Sequence, residues 1–261
     1  MMQHDASHYT TNASLFTGGA LCSCVVTEKN TGQQLYGKSV VGLSEVDAYL
    51  AALKEKCALS LYAFFGIAVP QTKILRLPIM WAHEGYSNEL FGLPNRTHTY
   101  YLCSNVLELQ HCSNTALPDI KSIGAILAVA FWINDIDVLG GGFTNIGFIN
   151  NNDSDQWVKI DAGEAFSTID ETQVDKIRYC TQGTDVYLTI NELPPNVQKE
   201  FHAVLRKIAS TSAHELKLFL TTIVNPKKNS PLPDGFGFVD TLMRFLAKRT
   251  THLLNVKDNN I

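Results

Sequence analysis

Apolar positions along this chain come first in short β-branched runs and later at helical spacing. Residues 20–26 and 33–41 carry apolar and β-branched side chains on either side of Glu28–Lys29–Asn30–Thr31–Gly32, which predicts strand, turn, strand. Leu50, Leu53, Cys57, Leu61 and Phe64 then recur on one helical stripe, and the pattern predicts a helix from Glu45 to about Phe65. Ser44 is its expected N-cap, with Asp47 three residues on, and Gly66 ends it. Val69–Pro70 opens an extended piece that continues through Thr72 to Leu77, and Thr99 to Leu109 is strand-like after a turn-rich stretch. Pro118–Asp119 begins a helix that is apolar nearly all round from Ile123 to Ile133, the pattern of a helix buried in the middle of a domain. The stretch 135–145 is too rich in glycine for a helix, and residues 146–149 and 157–160 predict a hairpin around an Asn/Asp turn. Pro194 to Ser212, His214 to Val224 and Phe238 to Leu254 predict helices. The order predicts an α+β protein in two lobes. A flexible N-terminus (1–13) precedes a strand-rich lobe with one helix (14–104) and a mostly helical lobe (105–261).

Composition narrows the classes. A chain of 261 residues can bury one good core or two modest lobes, and 45% hydrophobic with 18% charged residues fits a globular protein. The net charge of −4 argues against a general nucleic-acid binder, which needs a basic face to displace counterions. Six cysteines occur without a CxxC pair or a compact framework, so reduced thiols in a cytoplasmic compartment are expected. Residues Met1 to Thr11 are polar and lack the apolar core of a secretory signal. The run Ile123 to Ile133 falls short of the ~20 residues that span a bilayer, so no transmembrane segment is expected. A bacterial effector exported by another route, ending in a host cytoplasm, would have the same features.

The strongest chemical signal runs from Asp137 through Asn145 and the hairpin to Lys159–Ile160–Asp161–Ala162–Gly163. Phosphoryl transfer asks for one carboxylate to orient the attacking hydroxyl, and for an Asn and a second Asp to hold magnesium against the phosphates. Magnesium prefers such hard oxygen ligands to His or Cys. Asp, Asn and Gly also favour plain turns. A buried helix, a loop with Asp and Asn, a hairpin and an Asp–x–Gly in series are harder to explain that way.

These segments, Ile123 to Val138, Asn145 to Ile149 and Trp157 to Ser167, resemble the catalytic loop and metal-binding turn of kinase-like phosphotransferases. The resemblance is to the atypical branch: phosphatidylinositol kinases, HipA-type bacterial kinases and kinase-like effectors of intracellular bacteria. It implies a two-lobed protein-kinase-like fold, ATP and Mg²⁺ as cofactors, Asp137 as catalytic residue, and Asn145 with Asp161 as metal ligands. It also implies that Lys38, in Leu35–Tyr36–Gly37–Lys38, contacts the α/β-phosphates and that Glu55 pairs with it. Gly18 and Gly19 would belong to the phosphate-covering loop, and Leu102 and Ser104 to the hinge that binds adenine through its backbone. Kinases place the Asn five residues after the Asp, whereas Asn145 lies eight after Asp137, so Asp135 stays open beside Asp137. The family's basic residue after the Asp is replaced by Val138.

Other chemistries have less to stand on. Cys22–Ser–Cys24 and His111–Cys112 lack zinc-ligand clustering. Gly140 to Gly142 lacks the following Lys–Ser/Thr of a Walker loop, and no Gly–x–Ser–x–Gly elbow occurs. The expected activity is phosphoryl transfer from ATP to a lipid or protein acceptor, with a slight tilt to phosphoinositides because no Ala–Pro–Glu segment follows Asp161. A host-protein activator is a partner this class admits. The rivals are a kinase-fold enzyme that transfers AMP or another group to a protein, and a turnover-free pseudokinase or host-protein-binding module. Arg244, Lys248 and Arg249 are expected on a solvated face of the last helix.

Overall fold

Alternation and helical spacing settle the elements of the computed structural model, which describes residues 6–13, 22–40, 44–81, 86–90, 92, 95–111, 122–140, 144–151, 154–167, 176–181, 184–224, 231–232 and 235–258. Thr17, Gly18, Gly19 and Cys112 lie outside them. The chain divides into two compact units: Met1–Lys56, Pro70–Leu107 and Pro226–Pro233 form the first, and Cys57–Val69, Glu108–Asn225 and Asp234–Ile261 the second.

The first unit is a five-stranded antiparallel sheet with a helix. Strands β1 (Tyr9–Ala13), β2 (Cys22–Glu28), β3 (Gln34–Ser39), β4 (Thr72–Pro78) and β5 (His98–Asn105) pair in the order β1-β2-β3-β5-β4. Helix α1 (Glu45–Phe64) comes between β3 and β4 in the chain and passes from the first unit to the second after Lys56. Ser44 caps it as expected, its Oγ accepting the Asp47 N–H at 3.1 Å. The period-2 pattern sends Cys22, Cys24, Val26, Leu35, Leu75, Leu77, Tyr101 and Cys103 into one buried cluster with Tyr9. Burial pushes the Cys22 and Cys24 thiols up to about 11 and about 12, so they pack as small hydrophobes. On residues of the other parity, Arg76 makes a two-pronged contact with Glu45 of α1 at 3.1 and 2.9 Å, and the Tyr100 and Tyr49 rings meet at 5.1 Å.

Two expectations change here. Residues 6–13, expected to be flexible, form a 3₁₀ turn (Ala6–His8) and the edge strand β1, which pairs with β2 from Tyr9↔Glu28 to Ala13↔Cys24. Leu102 and Ser104, assigned to an adenine-binding hinge, lie inside β5. There they face Lys38 and Tyr36 of β3 on one side, and Ile74 and Thr72 of β4 on the other. A strand flanked on both sides commits its backbone donors and acceptors to the sheet ladders, so that role does not fit them.

The second unit is built on α2 (Ile123–Ile133), all of whose residues are buried. Around it lie β6 (Gln110–His111), the hairpin β7 (Ile146–Asn151) and β8 (Ser154–Lys159), a second hairpin β9 (Lys176–Thr181) and β10 (Thr184–Thr189), and helices α3 (Pro195–Ser210), α4 (Ala213–Val224) and α5 (Gly235–Asp258). Phe131 of α2 meets Phe201 of α3 at 5.9 Å, and Phe65 meets Trp132 edge-on at 5.5 Å. Trp132 donates its indole N–H to Thr250 Oγ1 of α5 at 3.0 Å. No described helix is long and apolar enough to cross a membrane.

The solvated basic face expected on α5 is corrected at Arg249. This residue is only 2% exposed, donates to the carbonyls of Phe131 and Trp132, and sits 4.9 Å from the Phe131 ring centroid. Carbonyls in a last helical turn have no intrahelical partner, and Arg249 satisfies two of them at the end of α2.

Candidate functional site

The loop after α2 is shaped by its turn residues. Asn134 adopts the left-handed conformation (φ 52°) that stops the helix, and its N–H bonds to Ala130 O. The Asp135 N–H reaches the same carbonyl at 2.9 Å. Two residues on, the Asp137 carbonyl accepts the Gly140 N–H at 3.2 Å, and Leu139 O accepts the Asn145 N–H at 3.0 Å. The eight-residue spacing is thereby folded back on itself, and Asn145 returns to Asp137.

The Asn145 side chain completes that return. Its Nδ2 donates to Asp137 O at 2.7 Å and to Asp137 Oδ2 at 3.2 Å. Its Oδ1 lies over Gly140, where a Cβ would come within 2.9 Å of it. Asn145 also joins the site to β8: its carbonyl accepts the Ile160 N–H at 3.1 Å, one step beyond the pair Ile146↔Lys159. Asp161 follows at once, and its Oδ1 accepts the Gly163 N–H at 3.0 Å, which explains the Asp–x–Gly turn. The segment is anchored behind, where Phe166 N–H bonds to Ile133 O at 2.8 Å and Asn134 Nδ2 to Ser167 O at 3.0 Å.

Electrostatics separates the two candidate aspartates. Asp135 is 4% exposed, accepts the Tyr62 hydroxyl at 2.7 Å and pairs with Lys159 at 3.3 Å. Burial and the Asp135 charge push the Tyr62 hydroxyl well above its ordinary value, so it stays a donor. Asp137 is half-buried and has no cation of its own beside it among the ion pairs of the described residues. Burial raises the Asp137 carboxyl; the Asn145 hydrogen bond and the more distant Lys159 lower it, and the charges of Asp135 and Asp161 add to the rise.

Asp137 and Asn145 are therefore joined directly within the second unit, and the Ile160–Asn145 backbone bond brings the strand end that precedes Asp161 against them. In the first unit, Lys38 Nζ lies 2.6 Å from Glu55 Oε1, pairing β3 with α1. Gly18 and Gly19 lie outside the described residues. Among the described residues no three His, Cys, Asp or Glu side chains are placed to hold a metal ion by themselves. Magnesium is commonly held by one or two carboxylates plus substrate phosphates. The oxygens of Asp161 and Asn145 suit that mode, and Asn145 Oδ1 packs closely over Gly140, where only a residue without a side chain fits.

Tyr62 and Lys159 have no role in the sequence pattern, and Arg249 reads there only as part of a solvated basic face. Lys159 carries no signal of its place: between Val158 and Ile160 it reads as the ordinary solvent-facing residue of an alternating strand, and its burial appears only in the fold. Comparison of the chain with protein-family models and with curated proteins finds no match.

Proposed function

We propose that this protein is an ATP- and Mg²⁺-dependent phosphotransferase of the atypical kinase-like class, acting on a phosphoinositide or protein hydroxyl. The observation that carries the reading is the convergence of Asp137, Asn145 and Asp161, through the Asn145 side chain on Asp137 and the Ile160–Asn145 backbone bond. The Lys38–Glu55 pair supports it, since protein kinases set a third-strand Lys against a Glu of the following helix.

Each residue has a task. Asp137 orients the acceptor hydroxyl and takes its proton as oxygen bonds to the γ-phosphorus and ADP departs. The rise in its pKa from burial makes it a better base than an exposed aspartate. Asn145 and Asp161 would hold magnesium, which neutralises charge on the transferring group when bound. Asn145 also keeps Asp137 in place through its two hydrogen bonds. Lys38, oriented by Glu55, holds the α/β-phosphates.

The test is incubation with ATP labelled at either the α- or the γ-phosphate, against phosphoinositide vesicles and a protein panel. Label should reach an acceptor from the γ-position only, and Asp137→Ala should end transfer while nucleotide binding persists. Label from the α-position would favour AMP transfer, and binding without any transfer would favour a non-catalytic module.

A further inference from the structure

Three buried side chains of the second unit meet with no part in the transfer just described. Tyr62 Oη donates to Asp135 Oδ2 at 2.7 Å, and Lys159 Nζ approaches the same oxygen at 3.3 Å. Lys159 Nζ also stands 5.7 Å from the Tyr62 ring centroid. The Asp135 and Lys159 side chains are 1% and 0% exposed.

Stability alone does not account for this cluster. Taking two charges out of water costs several kcal/mol per ion, and apolar residues of similar volume often serve as well or better. The pair is also imperfectly satisfied, since Asp135 Oδ1 and Lys159 Nζ are both buried and make no hydrogen bond among the described residues, which leaves the ion pair as the contact between them. Its placement in the chain is more informative. Asp135 stands two residues before Asp137, and Lys159 two residues before Asp161. The ion pair therefore ties together, at the same offset, the two segments that present the acidic groups. Each end is also fixed by its backbone: the Asp135 N–H bonds to Ala130 O and the Lys159 N–H to Ala68 O, both at 2.9 Å. Tyr62, in the second half of α1, holds the shared oxygen from a third direction.

We infer that Lys159, held by Asp135 and Tyr62, is a positioning residue that sets the spacing between Asp137 and Asp161. As a claim about catalysis it rests on the phosphotransferase reading; as a claim about geometry it does not. A residue that orients metal ligands from behind commonly changes metal affinity or activity by about 10- to 100-fold.

The experiment compares wild type with two variants of the full chain. Lys159→Met alone leaves Asp135 buried without its cation and can unfold the protein, so the main variant is Asp135→Asn with Lys159→Met, which removes both charges together. Tyr62→Phe, which removes a single hydroxyl, is the milder second variant. The first readout needs no nucleotide: the side-chain amide resonances of Asn145 and the backbone amides of Asp161 and Gly163, followed by NMR. Both variants should stay folded with these resonances displaced, the double variant more than Tyr62→Phe. The second readout is the Mg²⁺ concentration for half-maximal nucleotide binding, which should rise about tenfold in the double variant. Unmoved resonances in a folded double variant overturn the inference, as does an unchanged magnesium requirement. Displaced resonances in a protein whose wild type neither binds Mg-nucleotide nor transfers phosphate uphold the positioning role and sink the phosphotransferase reading.

Discussion

Gly140→Ala perturbs the candidate site without touching any proposed ligand. Gly140 has φ +70°, a conformation that costs a residue with a Cβ roughly 1–2 kcal/mol. A Cβ there would also come within 2.6 Å of Thr144 Oγ1, 2.8 Å of Asn145 Cγ and 2.9 Å of Asn145 Oδ1. Thr144 is exposed and can turn away. Asn145 is pinned by Leu139 O, by the Ile160 N–H and by both Asp137 acceptors, so its displacement sacrifices one hydrogen bond to a partly buried carboxylate and one to a backbone carbonyl. The first is worth roughly 1.5–3 kcal/mol and the second about 0.5–1.5 kcal/mol. The expected loss of stability is about 2–4 kcal/mol after partial relaxation. Gly66→Ala is the control: Gly66 has φ +89° and nothing within 4 Å of its Cβ position, so it suffers the conformational cost alone. Urea unfolding of both variants, followed by circular dichroism, gives the difference. Gly140→Ala should fall below Gly66→Ala by at least ~1 kcal/mol, and it should need more Mg²⁺ for nucleotide binding while Gly66→Ala does not. Equal stabilities with an unchanged magnesium requirement would refute the account of how Asn145 is held.

Arg249→Ala strips two capping bonds from the end of α2 and should cost about 2–4 kcal/mol in urea unfolding, with Arg249→Met costing less because it fills more of the buried space that Ala leaves empty. The Asp137 carboxyl, raised mainly by burial, has to ionise before it can act, so the acid limb of kcat/KM against pH should lie above the ordinary aspartate value of about 3.9. The sign for stability is the reverse of the usual carboxylate. With the folded pKa above the unfolded one, the proton is held more tightly in the folded chain. Its ionised form therefore subtracts stability as pH rises through that window. Asp137→Asn should accordingly melt at or above the wild-type temperature at pH 7 while transfer is lost, and a clearly lower melting temperature would contradict it.

Where a local pattern fixes structure, the sequence was a sufficient guide. The stripe from Leu50 to Phe64 and the Ser44 cap gave α1 (Glu45–Phe64), and the run Ile123 to Ile133 gave the buried α2 with the same ends. Gly and Asn marked the loop after α2, and the Asn/Asp turn marked the β7–β8 hairpin. Short strands at the margins were not legible. Tyr9–Ala13 reads as polar because β1 is an edge strand whose outward residues are wet, and its register is supplied by β2. Lys176–Thr181 and Thr184–Thr189 alternate weakly between charges, so the pattern does not announce the β9–β10 pairing.

The candidate site divides in the same way. Residue types in a given order singled out Asp137, Asn145, Asp161, Lys38 and Glu55, and among these the structure pairs Lys38 with Glu55 and Asn145 with Asp137. Choosing between Asp135 and Asp137 required knowing that Lys159 and Tyr62 meet one of them, contacts made over 24 and 73 residues of chain. No local pattern encodes that. Arg249 was misplaced for a related reason: three basic residues near the end of α5 look alike until α2 presents its terminal carbonyls to one of them.

Calorimetric titration of ATP into wild type and Asp161→Ala, each with and without Mg²⁺, tests the central claim most directly. Wild type should bind ATP far more tightly with magnesium, and Asp161→Ala should lose that magnesium-dependent part while its circular dichroism and melting curve stay as they were. A folded Asp161→Ala variant that binds Mg-ATP with wild-type affinity would contradict it.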